Sequence, residues 1–86
     1  MEIKPFLKEA ILRQLNEKYP SEEISSADKL LPEHTNREEI IGHITHCINN
    51  GWVTASPIKE EEMPSHVDYN FIKLTLKGKK YFDANF

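Results

Sequence analysis

Two histidines and the single cysteine of the chain stand close together, and their spacing is the first place where chemistry is conceivable. His43 lies three residues before His46 and four before Cys47, so on a helix His43 and Cys47 share a face. A tetrahedral metal site needs further ligands, and only His34, His66 and scattered carboxylates are available. The sequence therefore predicts no metal and no cofactor, but two exposed histidines beside a small buried cysteine.

Catalysis by these residues, or by the run of three glutamates, is not expected. A nucleophilic pair of Cys47 and His43 would need an accessible, electropositive setting, whereas Cys47 stands beside isoleucines in an acidic segment. The carboxylates of residues 60–62 fall in an expected loop, which cannot fix the geometry of general acid–base groups. The three glycines are isolated, so there is no glycine-rich phosphate loop. The sequence predicts a protein that is not an enzyme and acts by binding.

Length and composition limit the class of protein. The 86 residues (10.0 kDa) predict one domain spanning 1–86. Apolar residues make up 38% and charged residues 29%, which is typical of a soluble globular domain. No apolar run approaches the ~20 residues of a membrane span, and the first residues lack the apolar core of a signal peptide. We therefore expect a cytoplasmic protein with no membrane partner.

Charge is spread unevenly along the chain, whose net charge is −3. Residues 21–50 carry two basic and six acidic side chains, and residues 51–70 carry one basic and four acidic. Residues 71–86 carry four lysines and one aspartate and are the one clearly basic segment. Since phosphate backbones are attracted by positive charge and repelled by negative charge, this distribution bears on any nucleic-acid partner.

Two segments have the apolar period of a helix. The first runs from Pro5 to about Lys18, where Pro5 suits the first turn and Pro20 ends the helix. The second runs from Arg37 to about Asn49, with Asn36 as N-cap and Glu39 at the acidic position of a capping box. Gly51 follows the second segment, as at many helix C-termini. Residues 25–31 are a weaker candidate for a short helix, with core contacts from Ile24, Leu30 and Leu31.

After Gly51 the apolar period changes from 3.6 to 2. Trp52–Ala55 and Tyr69–Leu74 are predicted strands, and residues 56–66 a long exposed hairpin loop, because they include two prolines and three glutamates. Thr75 can cap a short last helix that reaches Tyr81 and Phe82. Gly78 is expected to weaken that helix by about 1 kcal/mol relative to alanine.

Two parts of the sequence carry a family resemblance. Residues 40–53, IIGHITHCINNGWV, join an apolar helix to a small turn and an aromatic strand start, and residues 71–82, FIKLTLKGKKYF, join a strand to a Leu-Thr-x-x-Gly-x-x-Tyr-Phe ending. In this order, after the first helix, they resemble small winged-helix proteins of bacteria and their phages, including the YjcQ-like group. The resemblance implies an α+β fold, with a three-helix core, a two-stranded antiparallel wing and a short C-terminal helix.

Winged-helix proteins include DNA-binding regulators, and the resemblance implies double-stranded DNA as one partner. In DNA-binding members the helix at 37–50 would enter the major groove. The side chains expected at its leading end and on its solvent face are Arg37, His43, Thr45, His46, Asn49 and Asn50. Lys73 and Lys77, with Lys79, Lys80 and the basic residues of the first helix, form an alternative patch that could face phosphates.

The acidic residues of the same helix and wing favour a different partner. Glu38, Glu39 and residues 60–62 would repel phosphates, so a module that binds a basic protein surface is the alternative. Homodimerisation through Phe82 and Phe86 is a further possibility. Against it, we expect Tyr81 or Phe82 to fold back on the first helix and Trp52 to cover the edge of the core.

Overall fold

In a computed structural model, residues 3–25, 30, 36–59 and 67–86 are described. Over these ranges the protein is α+β, with three helices and one two-stranded antiparallel sheet. The elements are α1 (Pro5–Lys18), α2 (Arg37–Asn49), β1 (Val53–Lys59), β2 (Val67–Leu74) and α3 (Leu76–Asn85).

Helix α1 confirms the predicted bounds and supplies much of the core. Pro5 lies in its first turn, and the helix ends before Pro20, with Tyr19 already extended at ψ 141°. Its buried face consists of Leu7, Ile11, Leu12 and Leu15. This face packs against α2, α3 and β2, so α1 contacts most of the other elements through the core.

Helix α2 also has its predicted bounds and its predicted cap. The Asn36 side chain accepts a hydrogen bond from the backbone N–H of Glu39 at 2.8 Å. The carboxylate of Glu39 does not serve the predicted capping box, however, because it is paired with the Lys4 ammonium at 2.7 Å. Gly51 ends the helix with a φ of +78°, the left-handed conformation that glycine adopts without a Cβ clash.

The hairpin is longer than predicted, and it begins one residue later. Val53 pairs with Leu74, and the pairing continues to Lys59 opposite Val67, so residues 56–59 belong to β1 rather than to a loop. Pro57 is tolerated because each strand of a two-stranded sheet has an outer edge, where a missing N–H removes no ladder bond. The remainder of the predicted loop, residues 60–66, lies outside the described residues.

Helix α3 confirms the Thr75 cap, whose Oγ1 accepts from the Gly78 N–H at 2.9 Å. The helix extends beyond Phe82 to Asn85. Gly78 has a packing role in addition to its expected cost in helix propensity. A Cβ at this position would overlap the carbonyl oxygen of Trp52, so glycine is what allows α3 to approach the chain that leaves α2.

One pairing was not predicted from the sequence. The backbone of Ile24, between α1 and α2, exchanges two hydrogen bonds of 2.9 and 2.8 Å with Ile72 of β2. This bridge places a short extended segment beside the free edge of β2. Ile24 and Leu30 are buried, as expected. Of the weakly predicted helix at 25–31, only Ser25 and Leu30 are among the described residues.

Candidate nucleic-acid interface

The largest correction to the predicted interface concerns His43. Its side chain is 1% exposed and therefore faces the core, not solvent. Its Nε2 accepts the backbone N–H of Lys4 at 2.9 Å, and its Nδ1 lies 2.7 Å from the backbone oxygen of Glu39. Because an amide N–H can only donate and a carbonyl can only accept, these two contacts fit the tautomer in which Nδ1 donates to the Glu39 carbonyl. His43 therefore connects the start of α1 to α2 and contacts no partner.

The sequence did contain a signal for this burial. His43 stands three residues after Ile40 and four before Cys47, and both of those side chains are fully buried. On a helix these positions share one face, so His43 belongs to the apolar stripe. The prediction of two exposed histidines is wrong for His43, whereas the buried cysteine is confirmed.

Two other side chains predicted to face DNA hold the hairpin against α2. The Arg37 guanidinium is 2.6 Å from the Asp68 carboxylate on β2, so its charge is compensated within the chain. The Thr45 hydroxyl donates to the Ile41 carbonyl at 2.8 Å, and its oxygen lies 2.6 Å from the hydroxyl of Tyr69. Both contacts position β2 relative to α2.

The end of α2 meets an aromatic cluster. His46 lies edge-on to the Trp52 ring, at 5.9 Å between centroids, and the Asn50 amide donates to the His46 carbonyl at 2.8 Å. Trp52 stacks on Tyr81 of α3 at 3.9 Å, and the Lys8 ammonium donates to the Tyr81 hydroxyl at 2.8 Å. The expectations that Trp52 covers the core edge and that Tyr81 folds back on α1 are confirmed.

The phenylalanines expected as a dimer patch are largely used within the chain. Phe82 is 7% exposed, and the Arg13 guanidinium of α1 lies over its ring at 5.4 Å. Phe86 is more exposed and contacts the Phe82 ring at 5.5 Å between centroids. Of the two rings, only that of Phe86 remains exposed to a partner.

The basic side chains that the structure describes fall into three sets. Five of those that the structure describes are in ion pairs with carboxylates: Lys4, Arg13, Lys18, Arg37 and Lys79. Lys8 is held by Tyr81 and lies over the Trp52 ring. Within the described ranges, Lys73, Lys77 and Lys80 make no ion pair, and we call these three residues the lysine surface.

The fold brings Lys77, one member of the lysine surface, to the end of α2. The Thr75 N–H donates to the Trp52 carbonyl at 2.9 Å, and the Thr75 hydroxyl donates to the Gly51 carbonyl at 2.6 Å. These bonds fix the start of α3 against the turn that follows α2. The Lys77 side chain consequently lies over Gly51, its Cδ 3.3 Å from where a Cβ would be. Of the two predicted interface residues directly before this turn, Asn50 is partly buried and bonded to His46, and Asn49 is exposed.

The remaining surface of α2 is unfavourable for phosphates. Glu38 is exposed in its first turn, and the structure gives this helix no cation outside the Arg37 pair, apart from the histidines. The acidic residues 60–62 lie outside the described residues, so their predicted repulsion of DNA stays a prediction. Of the eight predicted interface residues, Asn49, Lys73 and Lys77 keep side chains that are open to solvent and make no hydrogen bond or ion pair with described residues.

Burial also determines the chemistry of Cys47. The side chain is 0% exposed, and burial raises the pKa of the thiol to about 12, an effect that the neighbouring Lys8 ammonium only partly opposes. A thiol in this state is a poor nucleophile at neutral pH. Among the described residues, no group of three or more His, Cys, Asp or Glu side chains could hold a metal ion.

Across the described helices, none combines the length and apolarity needed to cross a membrane. We compared the chain with protein-family models, with curated proteins and with solved structures, and it matches none of them. Any functional assignment therefore depends on the residues and contacts described above.

Proposed function

We propose that this chain is a non-enzymatic winged-helix domain that binds double-stranded DNA, mainly through its phosphates. The order of elements supports the winged-helix assignment. The Ile24–Ile72 bridge adds a strand-like segment between α1 and α2, next to the hairpin, and α2 leads directly into that hairpin. A helix that leads into a two-stranded antiparallel wing, with a further helix after the wing, agrees with the resemblance. The third core helix that it implies falls at residues 25–31, of which only Ser25 and Leu30 are described, and the Ile24–Ile72 bridge is an addition to it.

The division of the basic side chains is the observation that carries the DNA assignment. An ion-paired lysine or arginine must give up its carboxylate before it can neutralise a phosphate, whereas a lysine without such a partner needs only to release water and counterions. The lysine surface contains three such residues, Lys73 on β2 and Lys77 and Lys80 one helical turn apart on α3, and Lys77 lies over Gly51 at the end of α2. Lys77 and Lys80 are exposed, and Lys73 is partly exposed.

The same contacts limit what α2 can read. His43 is buried and Arg37 is paired with Asp68, so two side chains that could have contacted base edges are occupied. Asn49 keeps an exposed amide that can donate and accept at a base edge. We therefore expect binding that depends strongly on salt and discriminates weakly between sequences.

The experiment is a titration of a labelled duplex by fluorescence anisotropy at several salt concentrations. Three phosphate contacts predict a slope of log K against log salt of about −2.7, which is a loss of about 40-fold between roughly 50 and 200 mM salt. Replacing Lys77 by glutamine should reduce the slope by about 0.9. The matched control is Lys18→Gln, because Lys18 is ion-paired with Glu22 on another part of the chain.

Two results would contradict the proposal. One is the absence of salt-dependent binding to duplex DNA at the lowest salt used. The other is an equal loss of binding in Lys77→Gln and Lys18→Gln, which would mean that overall charge and not the lysine surface determines affinity.

A protein-interaction role, including self-association, is the second candidate. The exposure of Ile58 (44%) on β1 favours it, because a large apolar side chain on a hairpin is a common contact in protein interfaces. Self-association predicts a molar mass that rises with concentration above 10.0 kDa in light scattering. In that case Ile58→Ser should restore the mass of the monomer.

A further inference from the structure

We infer that Phe71 is a base-stacking residue, and that the lysine surface therefore prefers DNA with unpaired bases to fully paired duplex. This inference rests on the proposed DNA binding and specifies the class of DNA. It depends on three observations: the backbone conformation of Phe71, the exposure of its ring, and the charge beside it.

The backbone of Phe71 is in a conformation that disfavours phenylalanine. Its φ is +53°, the one positive φ of a non-glycine residue in the part of the chain that the structure describes. The pairing register shifts here: Thr54 pairs with Lys73 and Ser56 with Asn70, so an extra residue of β2 bulges out. The Asn70 side chain accepts the Phe71 N–H at 2.9 Å and supports the bulge. Glycine or asparagine would satisfy this geometry with less strain.

The ring of Phe71 is also poorly placed for stability. It is 56% exposed and makes no ring contact with the other described aromatic residues, whereas its neighbour Ile72 is fully buried. The turn chemistry therefore does not account for an aromatic residue here, and more than half of the side chain lies outside the core. Strained positions that the fold does not require are concentrated at functional sites.

The surroundings of Phe71 indicate the chemistry of its ligand. Lys73 follows two residues later on the same strand and is partly exposed, so its backbone lies within about 7 Å of that of Phe71. On the opposite strand Thr54 and Ser56 are exposed, short side chains that leave room above the sheet. A flat apolar ring beside positive charge matches a polymer that alternates anionic groups with flat bases.

Single-stranded DNA presents those groups in the form that this surface can use. In a duplex both faces of each base are covered by stacked neighbours, so the Phe71 ring cannot reach them without opening the stack. In a single strand the base faces are accessible, and aromatic side chains stack on them with little dependence on sequence. The lysines then contact the phosphates on either side.

The test compares a labelled oligothymidine of about 12 nucleotides with the same strand annealed to its complement. The natural chain should bind the single strand more tightly than the duplex. Phe71→Gly should weaken single-strand binding by about tenfold or more and leave duplex binding and the salt slope nearly unchanged. Phe71→Trp should retain the preference. Phe6→Ala is the matched control, because Phe6 is an equally exposed phenylalanine (64%) on α1.

Unfolding by urea separates a binding role from a structural one. Because glycine relieves the positive φ, Phe71→Gly should unfold at the same or a higher urea concentration than the natural chain. A clearly lower midpoint would show that the ring stabilises the fold and would overturn the inference.

The two proposals fail in different ways. The stacking inference is overturned if Phe71→Gly and Phe6→Ala both bind the single strand and the duplex as the natural chain does. It is also overturned if Phe71→Gly lowers the affinity for both probes equally. In either case the proposed duplex binding stands. If the natural chain shows no salt-dependent binding to either probe, the proposed function itself is wrong.

Discussion

At the scale of single residues, the same side-chain types have opposite roles depending on where the fold places them. His43 and His46 are three residues apart, yet His43 is enclosed between α1 and α2 while His46 borders Trp52 at the end of the helix. Lys79 and Lys80 are adjacent, yet Lys79 is paired with Asp83 and Lys80 makes no ion pair with a described residue. The charged side chains that can contact a ligand are therefore those without an ion-pair partner in the fold, and they cannot be identified from composition.

The role of His43 as an acceptor predicts a loss of stability when it is replaced. In His43→Leu the Lys4 N–H loses its acceptor in a partly buried site, which should lower the free energy of unfolding by about 1–3 kcal/mol. Urea unfolding measures this change. His46→Leu is the control and should change stability by less than about 1 kcal/mol, since His46 is partly exposed. Equal losses in the two variants would contradict the assigned role.

The raised pKa of Cys47 predicts that the free energy of unfolding falls at alkaline pH. Its pKa is raised by burial from 9.0 to about 12 in the folded protein, so the unfolded chain ionises first as the pH rises. The stabilisation is complete below pH 9 and is lost between pH 9 and about 12. Relative to Cys47→Ala, the natural chain should lose about 1.4 kcal/mol of unfolding free energy between roughly pH 8 and pH 10. If the free energy of unfolding changes with pH in the same way in the two chains, this prediction is contradicted.

At the scale of elements, local signals in the sequence predict where the helices lie but not how the elements pack against one another. Apolar spacing and caps at Asn36 and Thr75 give α2 and α3 their starting points, and these signals act within a few residues. The hydrogen bond from Lys4 to His43, the Arg37–Asp68 pair and the Ile24–Ile72 bridge join residues distant in sequence, so they depend on the packed fold. The bulge at Phe71 has no local signal either, because phenylalanine is not a residue that such a bulge prefers.

The junction between α2 and α3 gives a prediction at this scale. Helix propensity alone would make Gly78→Ala stabilising by about 1 kcal/mol. The overlap of the new Cβ with the Trp52 carbonyl should reverse the sign and lower the melting temperature, because α3 must move away from Gly51. Asp83→Ala on the exposed face of α3 is the control, with an expected change within about 0.5 kcal/mol. A more stable Gly78→Ala chain would show that α3 is not held against this turn.

At the scale of the whole molecule, the net charge of −3 opposes DNA binding, and the lysine surface must act against it locally. Salt screens both effects, but the proposed phosphate contacts are at a few ångströms, and five carboxylates of the described residues are already in ion pairs. We therefore predict a modest affinity for DNA that depends on where the positive charges lie and not on the total charge. Two variants with the same net charge, but with positive charges removed at different places, should then differ in their affinity for DNA.

The most direct test uses two triple variants that each lose three positive charges. The first replaces Lys73, Lys77 and Lys80 by glutamine, and the second replaces the ion-paired Arg13, Lys18 and Lys79 by glutamine. Titration with labelled duplex DNA at low salt should show binding nearly abolished in the first variant and largely retained in the second. Equal binding by the two variants, or retention by the first alone, would contradict the claim that the lysine surface contacts the phosphates.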